Sequence, residues 1–169
     1  AARTGARVIL ADEDFRLGGR LLAERAPLDR PATEWIAELE AEFASLLNLR
    51  VMRRTTVWGA FDHGIYGAVE RVSDHLPTPG KRVRQSLWRI TAKRAILAAG
   101  ATERHIPFAN NDRPGVMMAG AMRAYANRWA VSPAKRVAIF TNNDDGHRTA
   151  ADLAAHHRIV DGLRSEERR

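Results

Sequence analysis

Hydrophobic and polar positions change period along the chain, and each change marks an element. Positions 6–11, Ala-Arg-Val-Ile-Leu-Ala, form an apolar run suited to a parallel strand buried on both faces. Positions 31–48 switch to helical spacing: Thr33 can cap the amino end, and Trp35, Ile36, Leu39, Phe43, Leu46 and Leu47 recur as the core-facing set. From 49 to 94 the period falls to two, predicting extended segments at 50–60, 65–72 and 86–92. Turn signals separate them at Asp62-His63-Gly64 and Pro77-Thr78-Pro79-Gly80. Positions 93–100, Lys-Arg-Ala-Ile-Leu-Ala-Ala-Gly, then read as a return to the parallel sheet. After the break at Pro114-Gly115, Met118, Ala121, Met122, Tyr125 and Trp129 predict an amphipathic helix over 117–129. A second buried strand is expected at 134–140 and a helix starting at 149–155. No further strand is expected, because the apolar pair Ile159-Val160 is too short and the end from Ser165 onward is charged.

This order predicts an α/β chain: a Rossmann-like FAD/NAD(P)-binding fold with an inserted β-meander, truncated at both ends. Residues 1–118 are the expected first dinucleotide-binding domain, with the meander near 49–94, and residues 119–169 the start of a degenerate second domain with an atypical tail. Truncation at the front is expected because Ala1 to Thr4, closed by Gly5, read as the last turn of a helix. The Gly-x-Gly-x-x-Gly loop that approaches a pyrophosphate is absent from the sequence and expected to lie before Ala1.

Composition narrows the function classes. The 169 residues are 45% hydrophobic and 28% charged, ordinary for a globular chain. With no cysteine there is no disulfide, thiolate metal site or dithiol chemistry. No apolar run is long enough for a membrane span and there is no secretory leader, which fits a cytoplasmic protein. A net charge of +7 invites a nucleic-acid reading, but the arginines are scattered among acids and no basic tract is interleaved with aromatics. His63, His75, His105 and His147 lack ligand spacing, so no metal is expected. None of Ser45, Ser73, Ser86 or Ser132 sits in a nucleophile elbow.

The candidate chemistry is nucleotide binding. Asp12-Glu13-Asp14 follows the first strand, and Gly18-Gly19 follows the acids. A carboxylate at the end of the second strand of a Rossmann unit accepts hydrogen bonds from both ribose hydroxyls of an adenine dinucleotide and repels a 2′-phosphate. A polar turn would show the same acids; Gly18-Gly19 tips the reading towards a nucleotide. Val57 is a candidate for backbone pairing with the adenine edge, although an ordinary strand needs no such role. Further along, Thr141-Asn142-Asn143-Asp144-Asp145-Gly146 stands where a second phosphate loop would be. Two carboxylates there oppose a pyrophosphate, so this second unit is expected to keep the fold without the ligand.

Nearly the whole chain, to about Ala154, resembles the α subunit of heterotetrameric sarcosine oxidase. The resemblance is carried by Leu10-Ala11-Asp12-Glu13 with Gly18-Gly19-Arg20-Leu21-Leu22, by Thr56-Val57-Trp58-Gly59-Ala60-Phe61-Asp62-His63-Gly64, and by Gly100-Ala101-Thr102-Glu103-Arg104. The runs Asn110-Asn111-Asp112-Arg113-Pro114-Gly115-Val116-Met117 and Phe140-Thr141-Asn142-Asn143-Asp144-Asp145-Gly146 carry it further. The resemblance implies NAD in this subunit, and FAD and FMN in the assembled enzyme with β, γ and δ subunits. It implies oxidation of sarcosine to glycine with hydrogen peroxide formed and the one-carbon unit passed to tetrahydrofolate by a domain outside this sequence. By the same resemblance Asp12 and Glu13 hold the ribose, Arg20 reaches the diphosphate, Thr56 and Val57 meet adenine, and Ala98, Ala99 and Gly100 lie along the nucleotide. No catalytic residue is expected in this chain. The alternatives are a related opine or amino-acid dehydrogenase subunit of α type and a non-catalytic basic interaction module.

Overall fold

The computed structural model describes residues 1–25, 30–132 and 134–155, and the backbone of 159–165. Of the charged end expected from Ser165 onward, 166–169 lie outside the described residues. The chain is mixed α/β, with parallel and antiparallel pairings in separate small sheets. Two compact units divide it: residues 1–19 with 36–99, and residues 20–35 with 100–169. That division falls at Ala99 and Gly100.

In the first unit, β1 (Val8–Ala11) pairs in parallel with β2 (Leu49–Met52), Val8 opposite Leu49 and Ala11 opposite Met52. Parallel neighbours need a long crossover, and α1 (Ala32–Ser45) lies in it. The extended segment expected at 50–60 is two strands. Arg54 turns at φ 54°, so that β2 ends and β3 (Thr55–Phe61) begins a different sheet. Thr55 secures the corner: it is buried, and its Oγ1 donates to the Arg53 carbonyl at 3.0 Å. Period-two patterning cannot register such a corner, because it interrupts no apolar alternation.

The meander is β3, β4 (Ile65–Arg71) and β5 (Gln85–Thr91), antiparallel and in chain order. His63 and Gly64 turn the first hairpin with φ 62° and 69°. A side chain on Gly64 would also overlap the Ala92 carbonyl oxygen. The pairing of β3 with β4 slips between Val57 and Gly59, leaving Trp58 as a bulge residue.

The strand expected at 93–100 does not form. Positions 94–100 belong to no element, and Ile96 and Leu97 are 87% and 93% exposed. A strand needs a neighbour to satisfy its backbone N–H and C=O groups. Among the described residues neither β1 nor β2 pairs with this segment. Ala98 and Ala99 are therefore exposed chain rather than a strand end, and Gly100 turns with φ 72°.

The second unit contains α2 (Ala119–Trp129), β6 (Arg136–Thr141), α3 (Asp144–Ala155) and β7 (Ile159–Ser165). β6 and β7 are parallel, joined through α3. Two expectations are corrected here. A strand does follow the helix, despite Asp161 and Gly162 within it, and α3 starts at Asp144 rather than 149. Met122, Ile139 and Leu153 form the core of this unit, flanked by Ala126, Ala134, Val137 and Ala150. Among the described residues no helix is long and apolar enough to cross a membrane.

Candidate functional site

At the carboxyl end of β1 the chain turns sharply. The Asp12 N–H donates to the Met52 carbonyl at 2.9 Å, which extends the parallel ladder by one residue. The Asp12 carboxylate then accepts the Asp14 N–H on Oδ1 at 2.9 Å, an Asx turn that fixes its direction. The Asp12 carbonyl accepts the Thr55 N–H at 2.8 Å, and the Asp14 carbonyl accepts the Arg54 N–H at 2.9 Å. These bonds tie the end of β1 to the start of β3, so Asp12, Glu13, Thr56 and Val57 share one corner of the first unit. Glu13 is exposed, and its carbonyl accepts from Arg71 Nη2 at 2.5 Å. Phe15 lies under the Arg54 guanidinium, 5.2 Å from its ring centre. Gly18, with φ 122°, and Gly19, with φ 50°, end the turn in backbone conformations that a side chain resists. Thr56 and Val57 are exposed on β3, Val57 opposite Ala68 of β4.

Arg20 is placed differently from Asp12 and Glu13. It belongs to the second unit, where its guanidinium pairs with Glu24 at 2.6 Å and with Asp145. Ala98 and Ala99 close the first unit and Gly100 opens the second. The structure thus gathers Asp12, Glu13, Thr56 and Val57 in the first unit, while Arg20 and Gly100 belong to the second and Ala98 and Ala99 lie in the segment that forms no strand.

Sequence reasoning passed over Arg123, which is 2% exposed on α2. Its Nη2 donates to both carboxylate oxygens of Asp145 at 3.1 and 3.2 Å and stands 4.0 Å from Glu24. Asn127, one turn further, donates to the Ala23 carbonyl at 2.8 Å and to Asp152 at 3.0 Å. The short 3-10 helix Gly19–Ala23 is thereby linked through Ala23 to α2. The sequence places Arg123 next to the core residue Met122 but gives no sign that Asp145 faces it.

The β6–α3 turn satisfies itself. Asn143 caps α3, its Oδ1 accepting the Asp145 N–H at 3.0 Å, while Thr141 Oγ1 accepts the Asn143 N–H at 3.2 Å. A Cβ on Gly146 would overlap the Thr141 side chain, so only glycine lets the helix approach the strand this closely. Burial pushes the Asp145 carboxyl up, but hydrogen bonds and charge from Arg123 and Arg20 outweigh it and hold the group below its ordinary value. A depressed carboxyl stabilises the fold above its unfolded value of about 3.9 and loses that contribution as pH falls through the folded value. The stability gap between the wild type and Asp145→Asn is therefore expected to be constant near neutral pH and to narrow below about pH 4. Melting temperatures of both proteins across pH check this; a gap that widens in acid would refute it.

The first unit also has a shallow open groove of about 600 Å³ beside α1 and β2. Leu17, Phe43, Leu46, Leu49 and Val51 line it, with the Arg53–Glu40 ion pair at 2.9 Å. None of the nucleotide candidates lines it.

No protein-family model matches the chain. Its fold is that of a solved L-proline dehydrogenase from P. horikoshii, with TM-score 0.73 over 95% of this chain and 31% of that one, at 23% identity. The chain thus shares the mixed α/β fold of that part of the dehydrogenase. Its sequence is 48% identical over 157 residues to the alpha subunit of sarcosine oxidase from Rhizobium meliloti (strain 1021), covering 92% of this chain and 16% of that protein. It is 30% identical over 145 residues to an opine oxidase subunit from Agrobacterium tumefaciens (strain Ach5), covering 82% of this chain and 28% of that one. The chain is a homologue of the sarcosine oxidase alpha subunit and spans about a sixth of the length of that relative.

Proposed function

We propose that the first unit is the adenosine-holding part of a Rossmann-like NAD site, in a subunit of α type from a sarcosine oxidase. The observation that carries this reading is the hydrogen bond from the Thr55 N–H to the Asp12 carbonyl. It sets the strand-end acid beside the residues expected to meet adenine. The residues present fit the group. Asp12 is oriented through Oδ1 by the Asp14 N–H, and its carboxylate can accept from a ribose diol while Glu13 stands exposed next to it. Val57 lies in β3 next to the bulge at Trp58 and could offer backbone groups to an adenine edge. Arg20 does not serve the diphosphate in this reading, because Glu24 and Asp145 hold it. NAD bound here would supply a structural anchor, and no residue of the chain would act on the amine.

On this reading the assembled enzyme oxidises sarcosine to glycine, forms hydrogen peroxide and passes the one-carbon unit to tetrahydrofolate in the cytoplasm. FAD and FMN and the β, γ and δ subunits supply the chemistry. The similarity to the opine oxidase subunit supports a second reading, in which the substrate is an opine or another amino acid. Turnover of sarcosine against opines by the assembled protein separates the two.

The test is retention of NAD by the full-length protein purified with its neighbouring subunits. Asp12→Asn removes a charge-assisted hydrogen bond worth roughly 1.5–3 kcal/mol, a loss of about 10- to 100-fold in affinity. NAD released by heat and quantified by chromatography is expected near stoichiometry in the wild type and strongly depleted in the variant. Absence of NAD from the wild type, or equal retention by the variant, would overturn the proposal.

A further inference from the structure

We infer that the β6–α3 turn is an oxyanion cradle that the chain fills with its own carboxylate, Asp145 standing where a phosphate or diphosphate group would sit. Several independent features meet there. α3 is 12 residues long, and its amino end, where Asn143 Oδ1 takes the Asp145 N–H, carries the positive pole of the helix dipole. Gly146 brings that end against Thr141 so closely that any side chain would overlap it. Close packing of helix on strand is what the third glycine provides in a dinucleotide-binding loop.

Two cations are already aimed at the same point. Arg123 is 2% exposed, its Nη2 reaches both oxygens of Asp145, and its Nε has no partner among the described residues. Arg20 reaches Asp145 Oδ1 from the 3-10 helix Gly19–Ala23. Glu24 bonds Arg20 at 2.6 Å and is 4.0 Å from Arg123. With Asp145 ionised, these two cations and two anions sum to zero. Without that carboxylate, the two guanidiniums keep Glu24 alone as a contacting acid among the described residues, with Asp144 still in the first turn of α3, and a planar guanidinium fork suits phosphate oxygens. Asp145 therefore closes the cradle against external anions while preserving the geometry that would receive one. The inference stands on the second unit alone. Its probe, inorganic pyrophosphate, carries no adenosine for Asp12 to hold, so its failure and that of the NAD proposal are distinguishable.

Thermal melts of the 169-residue chain, Asp145→Asn and Asp145→Gly with and without millimolar pyrophosphate test it. The wild type is expected to melt at an unchanged temperature. Each variant is expected to gain several degrees with pyrophosphate, or to regain a cooperative melt where the substitution has cost it one. The gain is expected to shrink with added salt and to vanish when Arg20→Gln is combined with either variant. An equal response from the wild type, no response or rescue in both variants, or a response that survives Arg20→Gln would each overturn the inference.

Discussion

Replacing Arg123 with methionine is expected to destabilise the chain by roughly 3 kcal/mol or more, because it breaks a buried charge pair by removing one partner. The guanidinium is the hub of its neighbourhood: Asp145 at 3.1 Å and Glu24 at 4.0 Å both face it, and each carboxylate side chain is itself under a fifth exposed. Methionine fills much of the same volume, so the loss reports charge more than packing. Arg20 remains to pair with both acids, which limits the penalty to the lower part of the usual range for such pairs. Urea denaturation of the single variants Arg123→Met and Asp145→Leu and of the double variant gives the coupling directly. The double variant is expected to be more stable than the sum of the single losses implies, since no unpaired Asp145 carboxylate is left behind. Strict additivity would show that the pair is not coupled.

Leu153→Ala is expected to cost about 2–5 kcal/mol, comparable to a large part of the whole stability of a small unit. Leu153 is 1% exposed on α3 and packs with Met122 of α2 and Ile139 of β6. The flanking residues are mostly alanines, which have no flexible side chain to swing into the space left behind. The cavity would persist, placing the cost in the upper half of the range. A midpoint shift in urea at unchanged slope is the expected signature. A loss below about 1 kcal/mol would mean that the small core collapses around the site.

These positions show why some of the fold was legible from the sequence and some was not. The helix at 117–129 was recognisable because Met118, Met122 and Trp129 recur at helical spacing, and the structure differs only at its amino end. Arg123 was missed because a charge on a helix ordinarily faces water, and only the fold brings Asp145 to it. The opening of α3 reads in the sequence as the place of a phosphate loop, occupied by two acids. Capped by Asn143, the same acids sit where the helix dipole favours them. β7 was missed because Asp161 and Gly162 interrupt its apolar residues, although its backbone pairs with β6 on both sides of them. The opposite error occurred at 93–100, where the apolar run suggested a strand that no neighbour among the described residues supports. Of the nucleotide candidates, the strand-end acids and the meander residues could be placed together because each lies at an end of a well-patterned strand. Arg20 could not, since its partner Asp145 lies more than a hundred residues away in sequence.

That separation has a kinetic consequence. Each unit is discontinuous along the chain, and residues 20–35 belong with residues 100–169. The bond from Asn127 to the Ala23 carbonyl spans 104 positions, and the Arg20–Asp145 pair spans 125. On the ribosome, the helix at Gly19–Ala23 emerges long before α2 and α3 exist to receive it. Closing such loops must precede the contacts that reward it, which slows folding and leaves the early segment without its final partners during synthesis. The first unit can gather its strands once residue 99 is made; the second has to wait for residues 100–169.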